Sequence, residues 1–373
     1  MTDPIYLDYN ATTPVDPRVL EAMLPWLREG YGNPSSDHVM GRQAKVAVEN
    51  ARAQVAALIG AHPEEILFTA HATEANNLAI LGTATRRTGA LLHSAVEHPA
   101  VLQPMGHLAS LGREVRVIPV DGTGRIDPCR VEPPAGCALV SVMLANNEVG
   151  TLQPIQDIAP LAHEAGALLH VDAAQAAGKV AIDVNALGAD LLSLAGHKFY
   201  APKGVGALYV RAGTPLSPIQ FGAGHERGLR PGTENVSHIV GLGEAACLAG
   251  ACLGEEGARL ATLRDELHTR LAAAIPGLML NGHATERLPN TLNLSFPGVM
   301  GWQLLAGTGQ IAASTGSACH SAEHAVSGVL AAMGFDLARA AGAVRLSLGR
   351  FTTAPQVAMA ADALIGAWRR LAP

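Results

Sequence analysis

The chain has 373 residues, of which 49% are apolar and 16% charged, and carries a formal net charge of −6. That length excludes a small binding module and suits about two domains, and without a Lys/Arg cluster the electrostatic footprint of a nucleic-acid binder is missing. Alanine and glycine supply much of the apolar fraction, no unbroken run of about 18 apolar residues argues for a membrane, and Met1-Thr2-Asp3-Pro4 lacks the layout of a signal peptide, so a cytoplasmic protein is expected.

In chain order, residues 16–29 form the first predicted helix, opened by Asp16 as N-cap and Pro17 at the first helical position. A second helix is predicted over 43–59. Short apolar runs at 66–69, 90–96, 114–120, 138–145, 167–172, 191–195 and 205–210 then alternate with helical patterns at 73–85, 99–111 and 155–165. This alternation predicts a parallel α/β sheet. Helices at 235–253 and 255–274 lead into Leu288-Pro289-Asn290-Thr291-Leu292-Asn293-Leu294-Ser295-Phe296 and a loop around Cys319. Val344-Arg345-Leu346-Ser347-Leu348 alternates like a strand, and 355–371 closes the chain as a helix. The expected fold is α/β: a large, mostly parallel sheet domain over 15–255, and a smaller α+β domain from 1–14 and 256–373.

Four segments at predicted strand ends carry chemistry, on the edge of the sheet where ligands sit in open α/β folds. Lys198 follows Gly196-His197 just past a strand and precedes Phe199-Tyr200-Ala201-Pro202-Lys203-Gly204, surroundings that a solvated lysine does not require. Asp172 ends the preceding strand in His170-Val171-Asp172-Ala173-Ala174-Gln175; alone it reads equally well as a turn aspartate. Thr69-Ala70-His71-Ala72-Thr73-Glu74 turns from strand into helix, where free N–H groups and the helix dipole suit a phosphate, although Thr73 and Glu74 also simply start helices. His98 in Val96-Glu97-His98-Pro99 is placed to exchange protons, whereas His93, His107, His163 and His268 read as structural. A dry lysine, a strand-end carboxylate that keeps a pyridine nitrogen protonated, and a phosphate site together suit pyridoxal 5′-phosphate (PLP).

The five cysteines, Cys129, Cys137, Cys247, Cys252 and Cys319, include no C-x-x-C pair, which argues against disulfides or a zinc ribbon. Cys319 stands apart in the small, polar stretch Ser314-Thr315-Gly316-Ser317-Ala318-Cys319-His320-Ser321. His320, Glu323 and His324 beside it read as a solvated loop running into a helix; no fourth ligand for zinc is evident.

These segments, with Leu7-Asp8-Tyr9-Asn10-Ala11-Thr12-Thr13-Pro14, Gly32-Asn33-Pro34-Ser35-Ser36, Ala145-Asn146-Asn147-Glu148-Val149-Gly150, Arg230-Pro231-Gly232-Thr233, Gly316-Ser317-Ala318-Cys319 and Arg345-Leu346-Ser347-Leu348-Gly349-Arg350, resemble the cysteine desulfurases and the neighbouring selenocysteine lyases. Those are PLP-dependent enzymes of fold type I in the aminotransferase class V group. The resemblance implies that Lys198 binds PLP, Asp172 pairs with its ring nitrogen and His98 stacks on the ring. It assigns Gln175 and Asn147 to the phenolic oxygen. Ala72 (through its backbone), Thr73 and His197 go to the phosphate, joined by Thr233 from the other subunit of a homodimer. Arg345, with Asn147 nearby, would hold the substrate carboxylate. Lys198 would move the Cα proton of L-cysteine, and Cys319 as thiolate would attack its sulfur, leaving a persulfide and L-alanine. The persulfide would pass to a protein acceptor, as in iron–sulfur cluster assembly, from a long, mobile cysteine loop.

Three positions depart from the family pattern: Ala70-His71-Ala72 replaces a Ser-Gly stretch, Ala195 stands where many members have a hydroxyl, and Ala201 replaces a glycine. The first two remove or crowd phosphate contacts, so that cofactor affinity is lower than typical or His71 supplies a replacement donor. A selenocysteine lyase and a non-catalytic PLP-binding subunit remain as alternatives at this point. The first is motivated by Leu144-Ala145-Asn146-Asn147-Glu148, His197-Lys198-Phe199-Tyr200 and Cys319-His320-Ser321, the second by these departures.

Overall fold

A computed structural model describes residues 4–315 and 327–372. Strand β1 (Ile5–Tyr6) and helices α1 (Pro17–Arg28) and α2 (Val39–Ile59) lead into β2 (Ile66–Thr69). There follow α3 (Ala72–Arg86), β3 (Leu91–Ser94), α4 (Pro99–Ser110), β4 (Val115–Ile118), β5 (Leu139–Met143), α5 (Ile155–Glu164), β6 (Leu168–Asp172), β7 (Leu191–Ala195) and β8 (Gly206–Val210). The seven strands β2 to β8 form one sheet in the order β2-β8-β7-β6-β5-β3-β4. Every residue of β5, β6 and β7 is buried, because helices cover both faces, and the sequences are near-continuous apolar runs.

The sheet is mostly parallel, with one exception. β8 runs antiparallel to both β2 and β7, since the connection from β7 is too short for the crossover that a parallel partner needs. Between β3 and β5 the chain reverses its direction of travel across the sheet, and in such folds the crevice beyond the strand ends at the reversal is where ligands bind.

The second half comprises α6 (Val236–Ala274), β9 (Met279–Asn281), β10 (Thr291–Ser295), α7 (Gly301–Ala306), β11 (Ile311–Ala312), α8 (Gly328–Ala332), α9 (Leu337–Ala341), β12 (Ala343–Ser347) and α10 (Ala354–Leu371). The two helices expected at 235–253 and 255–274 are one, continuous through Gly254. A helical glycine costs only about 1 kcal/mol relative to alanine, and packing at both ends of α6 outweighs it. Its first half joins the core under the large sheet through Ile239, Leu242, Ala245 and Ala246. Its second half joins a separate core through Leu260, Leu263, Leu267 and Leu271, against Leu292, Leu346 and Leu364.

By length and composition α6 would cross a membrane, but here it packs on α1 and α2. A Cβ on Gly241 would lie 2.7 Å from Met23 Sδ, and one on Gly243 2.6 Å from Ala51 Cα. The antiparallel sheet β12-β10-β9 forms the other wall of the second core. β1 pairs with β11, and Asp8 bridges Ser347, so the N-terminal segment is drawn across to the far end of the chain. The short elements β1, β9, β11 and α7 to α9 carry too little periodicity to have been expected.

Candidate active site

The carboxyl ends of β2, β3, β5, β6 and β7 open onto one cavity of about 820 Å³. Ala72 and Thr73 on α3, His98 at the start of α4, Asn147 after β5, Asp172 and Gln175 at the end of β6, His197 and Lys198 after β7, and Arg345 on β12 all line it. Thr233 is exposed and does not line this cavity, and Cys319 lies outside the described residues, as do His320, Glu323 and His324. The remaining cysteines are free, with Cys137 buried. Among the described residues no cluster of three or more His, Cys, Asp or Glu side chains could hold a metal ion.

Lys198 ends a tight turn, Gly196–Lys198. Glycine is required at 196, because a Cβ there would sit 2.9 Å from Val205 O and 3.1 Å from the Ala201 Cβ. The Lys198 Nζ donates to the carbonyls of Asn10 and Ala11, both at 2.8 Å. Burial, then the charge of Arg345, lowers the Lys198 pKa to about 8, against the opposing pull of Asp172 and Asp8.

Asp172 is buried, and its two oxygens accept from different donors: Asn76 Nδ2 at 2.7 Å and the Ala174 N–H at 2.9 Å. It is thus a turn aspartate and a cavity carboxylate at once. His98 caps α4, its Nδ1 accepting from the Ala100 N–H at 3.1 Å, which leaves the ring hydrogen on Nε2. Burial lowers its pKa, as does Lys198, while Asp172 raises it. Glu97 beside it is also buried; one carboxyl oxygen accepts from Ser94 Oγ and, at 2.7 Å, from the Met143 N–H, while Oε2 has no partner among the described residues. Burial pushes the Glu97 pKa up to about 8.

At the start of α3 the N–H groups of Ala72 and Thr73 have no carbonyl within the helix to bond. His71 caps that helix, its Nδ1 accepting from the Glu74 N–H at 3.0 Å, so the Nε2 hydrogen of the neutral ring is left as a donor at the cavity wall. His197 Nδ1 contacts Thr12 Oγ1 at 3.1 Å, and burial followed by Lys198 lowers its pKa to about 4.

Arg345 is held on two sides, donating to the Asn147 carbonyl at 2.9 Å and to Asp8 Oδ1 at 2.8 Å. Its Nε is buried and has no partner among the described residues. Asp8, Asn10, Asn76, Glu97 and Lys179 carried no assigned role in the sequence. Asp8, Asn10 and Glu97 sit in quoted motifs or beside an assigned residue, Asn76 follows Thr73 by three positions, and Lys179 follows Gln175 by four.

The aminotransferase class-V family profile matches residues 5–359. The chain belongs to the aminotransferase class-V family. It is similar to the cysteine desulfurase IscS of Dictyoglomus turgidum, with 43% identity over 367 residues covering 96% of this chain and 93% of that protein. Among solved structures it is similar to a NifS-like protein, with a TM-score of 0.92 and 38% identity over 99% of this chain and 100% of the other. A structure of SspA in complex with cysteine is similar at a TM-score of 0.82 and 36% identity, covering 93% and 99% of the two chains.

Aminotransferase class-V enzymes of this kind depend on PLP, and the cavity fits that group. It offers an amine of lowered basicity at Lys198, a carboxylate at Asp172 and open N–H groups at the start of α3. Arg345, which also lines the cavity, brings a positive charge suited to a further anion.

Proposed function

We propose that the protein is a cysteine desulfurase, taking sulfur from L-cysteine, releasing L-alanine and carrying the sulfur as a persulfide on Cys319. The observation that carries this reading is the meeting of the Lys198 amine, the Asp172 carboxylate and the Arg345 guanidinium at one cavity.

In this reading Lys198 would hold PLP, Asp172 would serve its ring nitrogen and His98 its ring, and Gln175 and Asn147 its phenolic oxygen. The N–H of Ala72, Thr73 and His197 would hold the phosphate, with His71 Nε2 as an added donor. When bound, PLP supplies an electron sink for charge developing at the substrate Cα. Arg345 binds the substrate carboxylate with guanidinium hydrogens that Asp8 and Asn147 do not use. Lys198, neutral above a pKa of about 8, takes the Cα proton. The Cys319 thiolate attacks the substrate sulfur; the new S–S bond forms as the C–S bond breaks, the electron pair left on Cβ takes a proton to become the alanine methyl group, and Lys198 returns a proton to Cα.

The exposure of Thr233 supports a homodimer in which it serves the neighbouring site. A division into a large unit over 15–255 and a small one from 1–14 and 256–373 accords with the two separate cores. The persulfide acceptor is a protein, and the reaction belongs to the cytoplasm. Incubation of PLP-loaded protein with L-cysteine and a thiol reductant tests the reading: alanine and sulfide should appear in equal amounts, and Cys319→Ala should abolish both while keeping the cofactor absorbance. Absence of alanine from the wild type, or undiminished alanine from Cys319→Ala, overturns it. Alanine from selenocysteine alone would instead identify a lyase.

A further inference from the structure

Four positions after Gln175, the turns that follow β6 bring Lys179 behind the cavity wall. Its Nζ donates to Gln175 Oε1 at 2.8 Å and to Asn10 Oδ1 at 3.2 Å. Gln175 Nε2 in turn donates to the Asn10 carbonyl at 2.9 Å, the same carbonyl that accepts from Lys198. Asn10 is itself fixed: Asn290 Nδ2 donates to its Oδ1 at 3.1 Å, and its Nδ2 donates to Thr291 Oγ1 at 2.8 Å. Lys179 pairs with no carboxylate among the described residues. Its electrostatic neighbours are Lys198 and Arg345, and these charges, after burial, push its pKa well below the ordinary lysine value. A lysine kept at such a disadvantage is not explained by stability.

A carboxamide has an accepting end and a donating end, and which way it points is set by its partners. Lys179 donates to Gln175 Oε1, and the Asn10 carbonyl, which only accepts, takes the Gln175 N–H. Flipping the Gln175 amide would set its oxygen against the Asn10 carbonyl oxygen and leave the donating Lys179 amine without its acceptor. We propose that Lys179 is a positioning residue that locks the Gln175 carboxamide with its nitrogen toward Asn10 and the cavity, so that Gln175 presents a hydrogen-bond donor to the phenolic oxygen of bound PLP. This rests on the functional reading above. It makes Gln175 a one-way contact: the site accepts an anionic ring oxygen there and disfavours a ligand that offers a hydroxyl hydrogen.

The test is the pH midpoint of the visible absorbance of the PLP-loaded protein. The titratable and charged groups around Lys198 are Arg345, Asp172, Asp8, His98, His197 and Lys179 itself; Gln175→Leu keeps them all and so separates a lost contact from a lost charge. Loss of a donor to the ring oxygen favours the protonated form, so Lys179→Met should raise the midpoint by about one pH unit. Lys179→Arg, which keeps a donor, should restore the wild-type value. Gln175→Leu alone should reproduce the rise, and adding Lys179→Met to it should move the midpoint little further, since residues acting through one contact are non-additive. A merely structural lysine would lower the melting temperature of Lys179→Met without moving the midpoint, and that result overturns the proposal. So does a Lys179→Arg midpoint as high as that of Gln175→Leu, a comparison that stands even if Lys179→Met does not fold. A wild type that develops no visible band with PLP would refute the functional reading instead.

Discussion

Arg345 on β12 donates from Nη2 to Oδ1 of Asp8 at 2.8 Å, and the Arg345 side chain is 6% exposed. The contact orients the guanidinium: Asp8 and the Asn147 carbonyl each take one of its five hydrogens and leave the others for an incoming carboxylate. It also makes Arg345 part of the fold. Arg345→Ala should weaken transition-state binding of cysteine by about 2–5 kcal/mol, seen mainly as a raised KM, and should also lower stability by about 3–5 kcal/mol because Asp8 loses its partner. Steady-state kinetics on the folded fraction, with denaturant titration alongside, separates the two. If stability falls while KM stays the same, Arg345 serves Asp8 alone.

Glu97 predicts a pH signature. Its folded pKa is raised to about 8 by burial, against about 4.3 unfolded. Between these values the folded state holds the extra proton, so stability declines as pH rises from about 4 to 8. Glu97→Gln, which is neutral throughout, should lack this decline, and the difference accumulated across the window should be a few kcal/mol, on the order of 2–4. Denaturation midpoints of the two proteins measured from pH 4 to 9 should diverge; parallel curves would mean that Glu97 is ionised in the fold.

Lys198 gives a second pH dependence, opposite in origin. With a pKa lowered to about 8, its nucleophilic free amine is the minor form at neutral pH. Capture of PLP by cofactor-free protein should therefore slow by up to about tenfold per pH unit below 8 and level off above it. Stopped-flow absorbance reads this directly, and Lys198→Ala should give no slow phase at any pH. A rate that keeps rising to pH 10 would place the amine at its ordinary value.

A shared site predicts complementation. If Thr233 serves the neighbouring protomer, a mixed dimer of Lys198→Ala and Thr233→Ala chains holds one intact site and one doubly defective site. Random reassortment of two inactive parents should then restore about a quarter of wild-type activity. Mixing the purified variants, with light scattering to confirm the dimer, tests this. No recovery from verified mixed dimers would assign Thr233 to its own protomer.

The strand-end residues were legible because an apolar run that stops at a polar side chain marks both the strand and the sheet edge. Asp172 and Lys198 fall at such stops. Helix starts were less legible where histidine replaces the usual short polar cap. His38, His71 and His98 each accept a backbone N–H through the ring, and α2 accordingly begins at Val39, before the expected 43. Asp8 and Asn10 could not be assigned because their roles depend on partners far along the chain, and local periodicity carries no trace of such contacts. Gly254 misled for a related reason: its local preference is to end a helix, and only the two cores flanking α6 decide otherwise.

The hydrogen bonds of Asn10 also bear on when the site comes into being. Its side chain meets Asn290 and Thr291, and its backbone N–H meets Ser347 Oγ at 3.0 Å. A nascent chain emerging from the ribosome therefore holds Lys198 and Asp172 long before it holds the segment that anchors Asn10, and closing so long a loop is a late event. The large sheet has the means to form first, with its strand ends open to solvent. The Lys198 amine acquires both of its carbonyl acceptors only when the last strand arrives, so competence for the cofactor is a property of the finished chain.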